Sequence, residues 1–296
     1  MKDLSNKNVI HIKDKDIEYL QFRKLLEYEE VIRHAYALGL DIGFKTTTPD
    51  HKLASPERIQ LAKKSYKKLC SSIGSNDTYI VQANQNHTDI VKVVQTKINM
   101  DEPDFSLTEE GIEDGLVTNK RKLELATTNA DCILLLFFDP VKRVIANTHS
   151  GWKGTLQRIS IKTVQKMIKE FGSNPQDIIC CICPSIRKCH FEVKKDVKDM
   201  FEKEFCDLEN VKFVDIEKEN QEKAIQLTDF IEETIENTKW NIDTVLINKI
   251  LLQREGLNPE NIIDSGICSV CHSDMIHSYR IEKKDYNTET AVIELK

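Results

Sequence analysis

Two histidines and one cysteine, drawn from three separate segments, carry the clearest chemical signal in this sequence. They are His87 in Gln85-Asn86-His87, Cys132 in Asn129-Ala130-Asp131-Cys132, and His149 in His149-Ser150-Gly151-Trp152-Lys153-Gly154. Ile133–Phe138 is an unbroken apolar run ending in an Asp139-Pro140 turn signal, and Arg143–Thr148 is a second β-favouring run. The two read as a hairpin. With a two-residue turn Asp139 pairs with Lys142, and the same register sets Cys132 opposite His149, Cβ atoms about 4.5–5.5 Å apart. A thiolate and an imidazole at that distance can share a zinc ion, with Zn–S about 2.3 Å and Zn–N about 2.0–2.1 Å. His87 would make a third ligand and leave one tetrahedral position open, the arrangement of catalytic rather than structural zinc. The same adjacency also serves a cysteine hydrolase with Cys132 as nucleophile and His149 as base. A buried cysteine beside hydrogen-bonded histidines needs no metal at all.

Groups suited to an anion lie close by. Ser150–Thr155 opens a helical pattern whose free N–H groups and positive end favour phosphate, and Lys153 adds a flexible charge. Arg280 in Ser278-Tyr279-Arg280 is a second candidate, whereas Arg58, early on its own helix, reads as a surface charge. Gln85 would share a strand face with His87 and reach substrate. Asp131 is either a structural acid or a catalytic carboxylate bent into the site. Trp152 reads as an aromatic packed under the hairpin, with stacking on a ligand as the alternative. Six of the nine cysteines cluster, at Cys180, Cys181, Cys183 and Cys189 and again at Cys268 and Cys271. Cys181 and Cys183 lie on an apolar strand, so the clusters read as reduced, buried small hydrophobes in preference to a second zinc site.

The elements that must hold these groups interleave irregularly. Strands are expected at Val9–Lys13, Ile17–Phe22, Val31–Leu40, Thr78–Ala83, Ile90–Val94, Gly115–Thr118 and Leu123–Thr127, before the hairpin. A helix from Ser55 to Gly74 has Ser55 as N-cap, Pro56 at its first position and Gly74 as its stop. Further helices are expected at Thr155–Phe171, Val193–Phe205, Ile225–Thr238 and Ile242–Arg254, with strands at Asp177–Cys183, Val211–Asp215, Ile262–Cys268, Met275–Ile281 and Thr290–Leu295. Met100–Glu110 is acidic and loop-like. This pattern predicts a mixed α/β (α+β) fold, a layered sandwich with a mixed β-sheet core and helices packed outside. Residues 1–30 form a partly β N-terminal extension, and 31–296 a single domain. Asp and Glu outnumber Lys and Arg by 48 to 42 and no basic block stands out, which argues against nucleic acid. The start of the chain lacks an apolar secretory core and no run reaches membrane-spanning length, so a cytoplasmic protein off the membrane is expected. A monomer is compatible with all of this, although the oligomeric state is not legible.

The three segments resemble the signature pieces of the YfiH-like family, whose usual forms are Q-x-H-G, T-A-D-C and H-A-G-W-R-G in the same order. Cys183-Pro184-Ser185-Ile186 with Phe191-Glu192-Val193 is similar to that family's G-P-x-I…Y-E-V, and Ser278-Tyr279-Arg280 to its S-Y-R-R. The family carries the label multicopper polyphenol oxidase (laccase) and is also described as a zinc-dependent purine nucleoside phosphorylase with adenosine deaminase activity. The resemblance implies zinc on His87, Cys132 and His149, catalytic roles at Cys132 and Asp131, and substrate or phosphate contacts from Gln85, Lys153 and Arg280. It implies a purine nucleoside and phosphate as substrates, without ranking adenosine, inosine or methylthioadenosine. This chain departs from the family forms at Thr88, Asn129, Lys153, Cys183, Ile281 and Asn287-Thr288-Glu289, and the family's T-R-x-G-G-x-S piece has no match in Gly39–Thr48. Lysine in place of arginine at 153 loses bidentate geometry, so weaker phosphate binding is expected. Copper is the poorer fit, because a multicopper centre needs mostly imidazole ligands, while the chain has eight histidines and no H-x-H pair. The zinc deaminase signature H-x-E…P-C-x-x-C is missing too. A zinc-stabilised binding protein without turnover is the non-enzymatic alternative.

Overall fold

The computed structural model describes residues 2–47, 54–75, 79–95, 105–107, 112–218, 221–235 and 238–296. From the N-terminus the strands are β1 (Val9–Lys13), β2 (Glu18–Phe22), β3 (Ile32–Leu38), β4 (Tyr79–Gln82), β5 (Val91–Val93), β6 (Phe105–Leu107), β7 (Gly115–Thr118), β8 (Leu123–Asn129) and β9 (Ile133–Asp139). They continue as β10 (Val144–Ser150), β11 (Ile179–Ile182), β12 (Glu192–Val193), β13 (Lys212–Asp215), β14 (Gln221–Ala224), β15 (Ile231–Glu233), β16 (Trp240–Ile242), β17 (Ile262–Asp264) and β18 (Glu289–Leu295). The α-helices are α1 (Arg23–Leu26), α2 (Pro56–Ile73), α3 (Trp152–Leu156), α4 (Ile159–Phe171), α5 (Lys195–Phe205), α6 (Leu227–Phe230), α7 (Thr244–Arg254) and α8 (Tyr279–Glu282).

Two mixed sheets stack face to face. One runs β1-β2-β3-β18-β8-β4-β6 and the other β17-β11-β9-β10-β7-β5. Strand β9 shows why the sequence stacks this way. Leu134, Leu136 and Phe138 point between the sheets, where they meet Leu125, Ile293 and Tyr36. Ile133, Leu135 and Phe137 point the other way, against Ile159, Val164 and Met167 of α4 and Leu252 of α7. A strand covered on both faces needs apolar residues at every position, which is why it reads as a continuous run. The outer face of the first sheet is covered by Tyr66 and Leu69 of α2, packed on Ala35, Ala37, Ala126 and Val292. The result is a four-layer mixed α/β sandwich. A smaller cluster built on Phe201, Phe205, Phe213 and Phe230 packs around the other side of α7.

Helix α2 begins as expected, with Ser55 Oγ accepting the Arg58 N–H, and it ends on left-handed Gly74 at φ 76°. Residues 9–22 of the expected N-terminal extension form β1 and β2, which continue the first sheet, and Leu20 and Phe22 share the inter-sheet core.

Four expectations are corrected. In the hairpin, Asp139 pairs with Val144 and His149 with Leu134, so Cys132 lies beyond the ladder instead of opposite His149. The Asp139 carboxylate accepts the N–H groups of Val141 and Lys142, both at 2.9 Å, and Arg143 takes a left-handed φ of 55°, which lengthens the turn. The helix expected at Thr155–Phe171 is split into α3 and α4 by Arg158 at φ 58°. Among the described residues of Ile225–Thr238 the helix is confined to the short α6, because Ile231–Glu233 instead pairs with Trp240–Ile242 as a strand. Met275–Ile281 is turn and α8, with the Glu282 carboxylate accepting from Ser278 N and His277 Nδ1 and so closing the segment on itself. Most of Met100–Glu110 lies outside the described residues, apart from β6. Among the described residues no helix is long and apolar enough to cross a membrane.

Candidate metal centre

The centre is assembled by loops at the ends of strands. His87 sits in the loop after β4, Cys132 between β8 and β9, and His149 near the end of β10. Their ligand atoms all lie within 4.8 Å of one another, and Cys132 Sγ is 3.8 Å from His87 Nε2. Bond lengths of about 2.3 and 2.0–2.1 Å meeting at a tetrahedral angle put sulfur and nitrogen about 3.5 Å apart. Cys132 and His87 thus stand close to the separation one divalent ion requires, with His149 within reach of both, and among the described residues no fourth His, Cys, Asp or Glu joins them. Gly151 makes the approach possible. A Cβ there would lie 2.7 Å from His87 Cδ2, 3.2 Å from Cys132 Sγ and 3.3 Å from His149 Cε1.

Asp114, just before β7, organises two of the three ligands. Its Oδ1 accepts from His149 Nδ1 at 2.7 Å, leaving the other ring nitrogen for a metal. The same carboxylate accepts the backbone N–H groups of Asn86 (3.1 Å), His87 (3.0 Å) and Thr88 (2.6 Å), and the Thr88 hydroxyl at 2.7 Å. Converging N–H groups of this kind explain the left-handed φ of 56° at His87, a conformation that costs of order 1–3 kcal/mol in a residue with a Cβ.

The electrostatics follow from the same contacts. Burial alone would raise the Asp114 carboxyl, but its hydrogen bond and charge interaction with His149, with Thr88 behind them, hold it at about 2. Burial would lower His149, yet the charge of Cys132 and the hydrogen bond to Asp114 push it up to about 10. Cys132 is opposed by burial too, and His149 followed by His87 pulls its thiol down to about 6. These contacts favour a thiolate at Cys132, the form a metal ligand needs, while His149 would give up its second ring proton on taking an ion.

The trio lies in the wall of a cavity of about 500 Å³. Asp131 also borders it, but both carboxylate oxygens are engaged. Oδ1 accepts the hydroxyls of Ser269 (2.6 Å) and Ser278 (2.7 Å), and Oδ2 accepts Arg280 N at 2.7 Å. Held this way at φ 88°, it fixes the bend that presents Cys132. Gln85 lines the cavity while its amide is paired with the Thr128 backbone in both directions, each at 2.7 Å. Arg280 reaches the cavity with its Nη2 on the Glu192 carbonyl at 3.2 Å. Lys153 is exposed, lies 5.6 Å from the Trp152 ring, and is not part of the cavity wall. Helix α3 has only five residues, too short for the helix-end anion site expected there. Trp152 lines the cavity and also packs against the aromatic cluster behind it, so both of its readings describe part of its surface.

The sequence reading missed Asp114, Ser269, Ser278 and Lys45. Lys45 is nearly buried in the cavity wall, its ammonium 3.3 Å from the centre of the Tyr286 ring. Burial, reinforced by the nearby Arg58 charge, lowers it to about 8. A lone lysine directly after the stretch Ile42-Gly43-Phe44 was the signal available in the sequence.

A family model described as multi-copper polyphenol oxidoreductase laccase matches residues 50–296. The chain belongs to that family. Among curated relatives, the human protein named purine nucleoside phosphorylase LACC1 is 27% identical over 80% of this chain and 48% of its own length. Purine nucleoside phosphorylase YlmD of Bacillus subtilis is 30% identical over 56% of this chain and 53% of its own. A prokaryotic protein named adenosine deaminase RL5 is 26% identical over 76% and 78%. The chain thus spans roughly half the length of the first of these relatives. Among solved structures, Bacillus licheniformis YfiH superposes with a TM-score of 0.74 at 22% identity, covering 97% of this chain and 99% of that one. YlmD from Geobacillus stearothermophilus does so with a TM-score of 0.73 at 19% identity. These likenesses establish the family's mixed α/β fold for this chain.

Proposed function

We propose that this family member is a zinc-dependent purine nucleoside phosphorylase acting on adenosine or inosine, with adenosine deamination as a secondary activity of the same centre. The observation that carries this reading is a three-ligand His-Cys-His set, backed by Asp114 and opening into a cavity that also holds cations and aromatic rings. The names of the relatives support the substrate class. Zinc suits one thiolate and two imidazoles, whereas a multicopper centre would need more imidazoles than any cluster among the described residues offers. When bound, zinc would supply concentrated positive charge to stabilise an anion in the cavity.

Phosphorolysis joins a phosphate oxygen to the ribose C1′ and breaks the bond from C1′ to the purine nitrogen, whose electron pair leaves with the base. Lys45 and Arg280 are the cavity's own cations and would draw in and orient phosphate. Lys45 stays charged below about pH 8. Phe191, Trp152 and Tyr286 offer ring faces and edges to the base. Asp114 keeps His149 in one tautomer, and Asp131 fixes the backbone before Cys132, so neither residue need move during turnover. Cys132 serves as ligand in this mechanism.

The test is to incubate zinc-loaded protein with inosine or adenosine and phosphate, and to follow free base and ribose 1-phosphate. Release of base that requires both zinc and phosphate supports the reading, and no release with any purine nucleoside removes it. The depressed thiol of Cys132 favours one competing reading, a cysteine hydrolase. Zinc at one ion per trio that blocks alkylation of Cys132 would exclude that alternative.

A further inference from the structure

A second group of ligand atoms lies away from the trio. Cys189 and His190 belong to a tight turn after β11, in which His190 N and Phe191 N both donate to Arg187 O. Cys268 and Cys271 belong to the turn that follows β17. The two turns are held together by backbone, since Ser185 N donates to Ile267 O and Ser269 N to Ser185 O. Three sulfurs and one imidazole nitrogen meet there, all within 4.8 Å of one another. Cys189 Sγ is 3.7 Å from Cys268 Sγ, and His190 Nδ1 lies 3.2 Å from Cys189 Sγ and 3.6 Å from the sulfurs of both Cys268 and Cys271.

Those separations are the edges of a tetrahedron around a metal. Bond lengths of about 2.3 Å to sulfur and 2.0–2.1 Å to nitrogen give S···S edges of about 3.8 Å and S···N edges of about 3.5 Å. A single imidazole nitrogen facing three sulfurs has no comparable reason to exist without an ion, because a thiol is a weak donor and the nitrogen can accept only one of them. Burial does not explain the group either. Cys180 and Cys181 on β11 and Cys183 just after it are fully buried and behave as the small hydrophobes expected of them, but Cys189 and Cys271 are exposed. Cys268-Ser269-Val270-Cys271 has the two-residue spacing with which one turn presents two thiolates.

We propose that Cys189, His190, Cys268 and Cys271 form a second metal site, a closed tetrahedral Cys3His centre for a zinc-class divalent ion. With four protein ligands it is structural. It clamps the turn after β11 to the turn after β17, and Ser269, lying between two of its ligands, is a donor to Asp131 beside Cys132. The clamp therefore stands behind the bend that presents the thiolate of the first centre. It rests on none of the catalytic argument, since the two ligand sets share no residue.

Elemental analysis of protein purified under reducing conditions without chelator tests it, using the wild type and the double variants His87→Ala/His149→Ala and Cys189→Ser/Cys271→Ser. About two zinc ions per chain are expected in the first and about one in each variant. Cobalt exchanged into the His87→Ala/His149→Ala protein should show tetrahedral ligand-field bands with thiolate-to-metal charge transfer about threefold stronger than in the Cys189→Ser/Cys271→Ser protein, reflecting three thiolates against one. A His87→Ala/His149→Ala protein that folds yet holds no tightly bound metal would overturn the proposal, as would a disulfide linking Cys189 to Cys268 in the fresh wild type. Should the cysteine variant fail to fold, the other two proteins decide the matter.

Discussion

Replacing Asp114 by Asn is the most informative perturbation of the first centre. The carboxylate accepts from His149 Nδ1, from the three backbone N–H groups of Asn86, His87 and Thr88, and from the Thr88 hydroxyl. An asparagine keeps the shape but presents an amide NH2 on one side, where it faces donors. Two ligands then lose their support together. The His149 imidazole loses its anionic partner and becomes a weaker base, and the left-handed turn at His87 loses acceptors that offset its strain. Loss of an outer-shell carboxylate typically costs 10–100-fold in metal affinity, about 1.4–2.8 kcal/mol. Because one carboxylate serves two ligands here, the upper end of that range is expected. Competition with a chromophoric zinc chelator at fixed pH measures it, alongside a denaturant titration of the metal-free protein. A folded Asp114→Asn protein whose zinc affinity stays within twofold of wild type would refute the argument that the centre is organised from behind.

Gly151→Ala should weaken zinc binding at least tenfold while leaving the backbone unstrained, since φ at 151 is −61° and the clash is with the ligand side chains themselves. Unaltered zinc affinity in that variant would contradict it. Lys45→Ala should raise KM for phosphate about tenfold with a smaller change for the nucleoside, consistent with losing one charged hydrogen bond of about 1.5 kcal/mol. In the wild type the Lys45 charge is present below about pH 8 and disappears as pH rises through it, so KM for phosphate should climb on the alkaline side and be flatter in the variant. Asp131→Asn places an amide against the two serine hydroxyls and Arg280 N, and should cost about 2–3 kcal/mol of stability in a urea titration. Lys153→Arg should leave the phosphate dependence unchanged, because residue 153 is outside the cavity wall. A clear gain would restore the helix-end phosphate site.

The ligands were legible because cysteine and histidine are scarce and their neighbours are distinctive, and the two sheets were legible because β9 is apolar from Ile133 to Phe138 and β10 opens with the β-favouring Val144-Ile145-Ala146. What failed was register. Pairing Asp139 with Lys142 assumes that the turn contains nothing but its two central residues, yet the Asp139 side chain caps two N–H groups and moves the pairing on to Val144. The groups behind the ligands were hidden for a different reason. Asp114 stands in an acidic stretch that reads as solvated loop, and Ser269 and Ser278 are ordinary polar residues until Asp131 is seen to need three donors. Cys189, His190, Cys268 and Cys271 stand in two segments well apart in the chain, brought together by the parallel pairing of β11 with β17 and the Ser185–Cys268 bridge beyond it.

The failed register leaves a physical question, namely how the ligands meet when the ladder does not pair them. The answer lies in two non-glycine residues with left-handed backbones at the centre itself, His87 at φ 56° and Asp131 at φ 88°. A regular strand would alternate its side chains and carry Asp131 and Cys132 to opposite faces. The positive φ at Asp131 breaks that alternation as the chain crosses from the first sheet to the second. At each bend a buried carboxylate gathers at least three donors, Asp114 for the first and the Asp131 side chain for the second. Satisfied buried carboxylates of this kind make the strained turns the low-energy state before any ion arrives, so metal binding need not supply the energy to form them. The metal-free centre should therefore be ordered, and amide hydrogen exchange at Asn86, His87 and Thr88 should remain slow after zinc is removed.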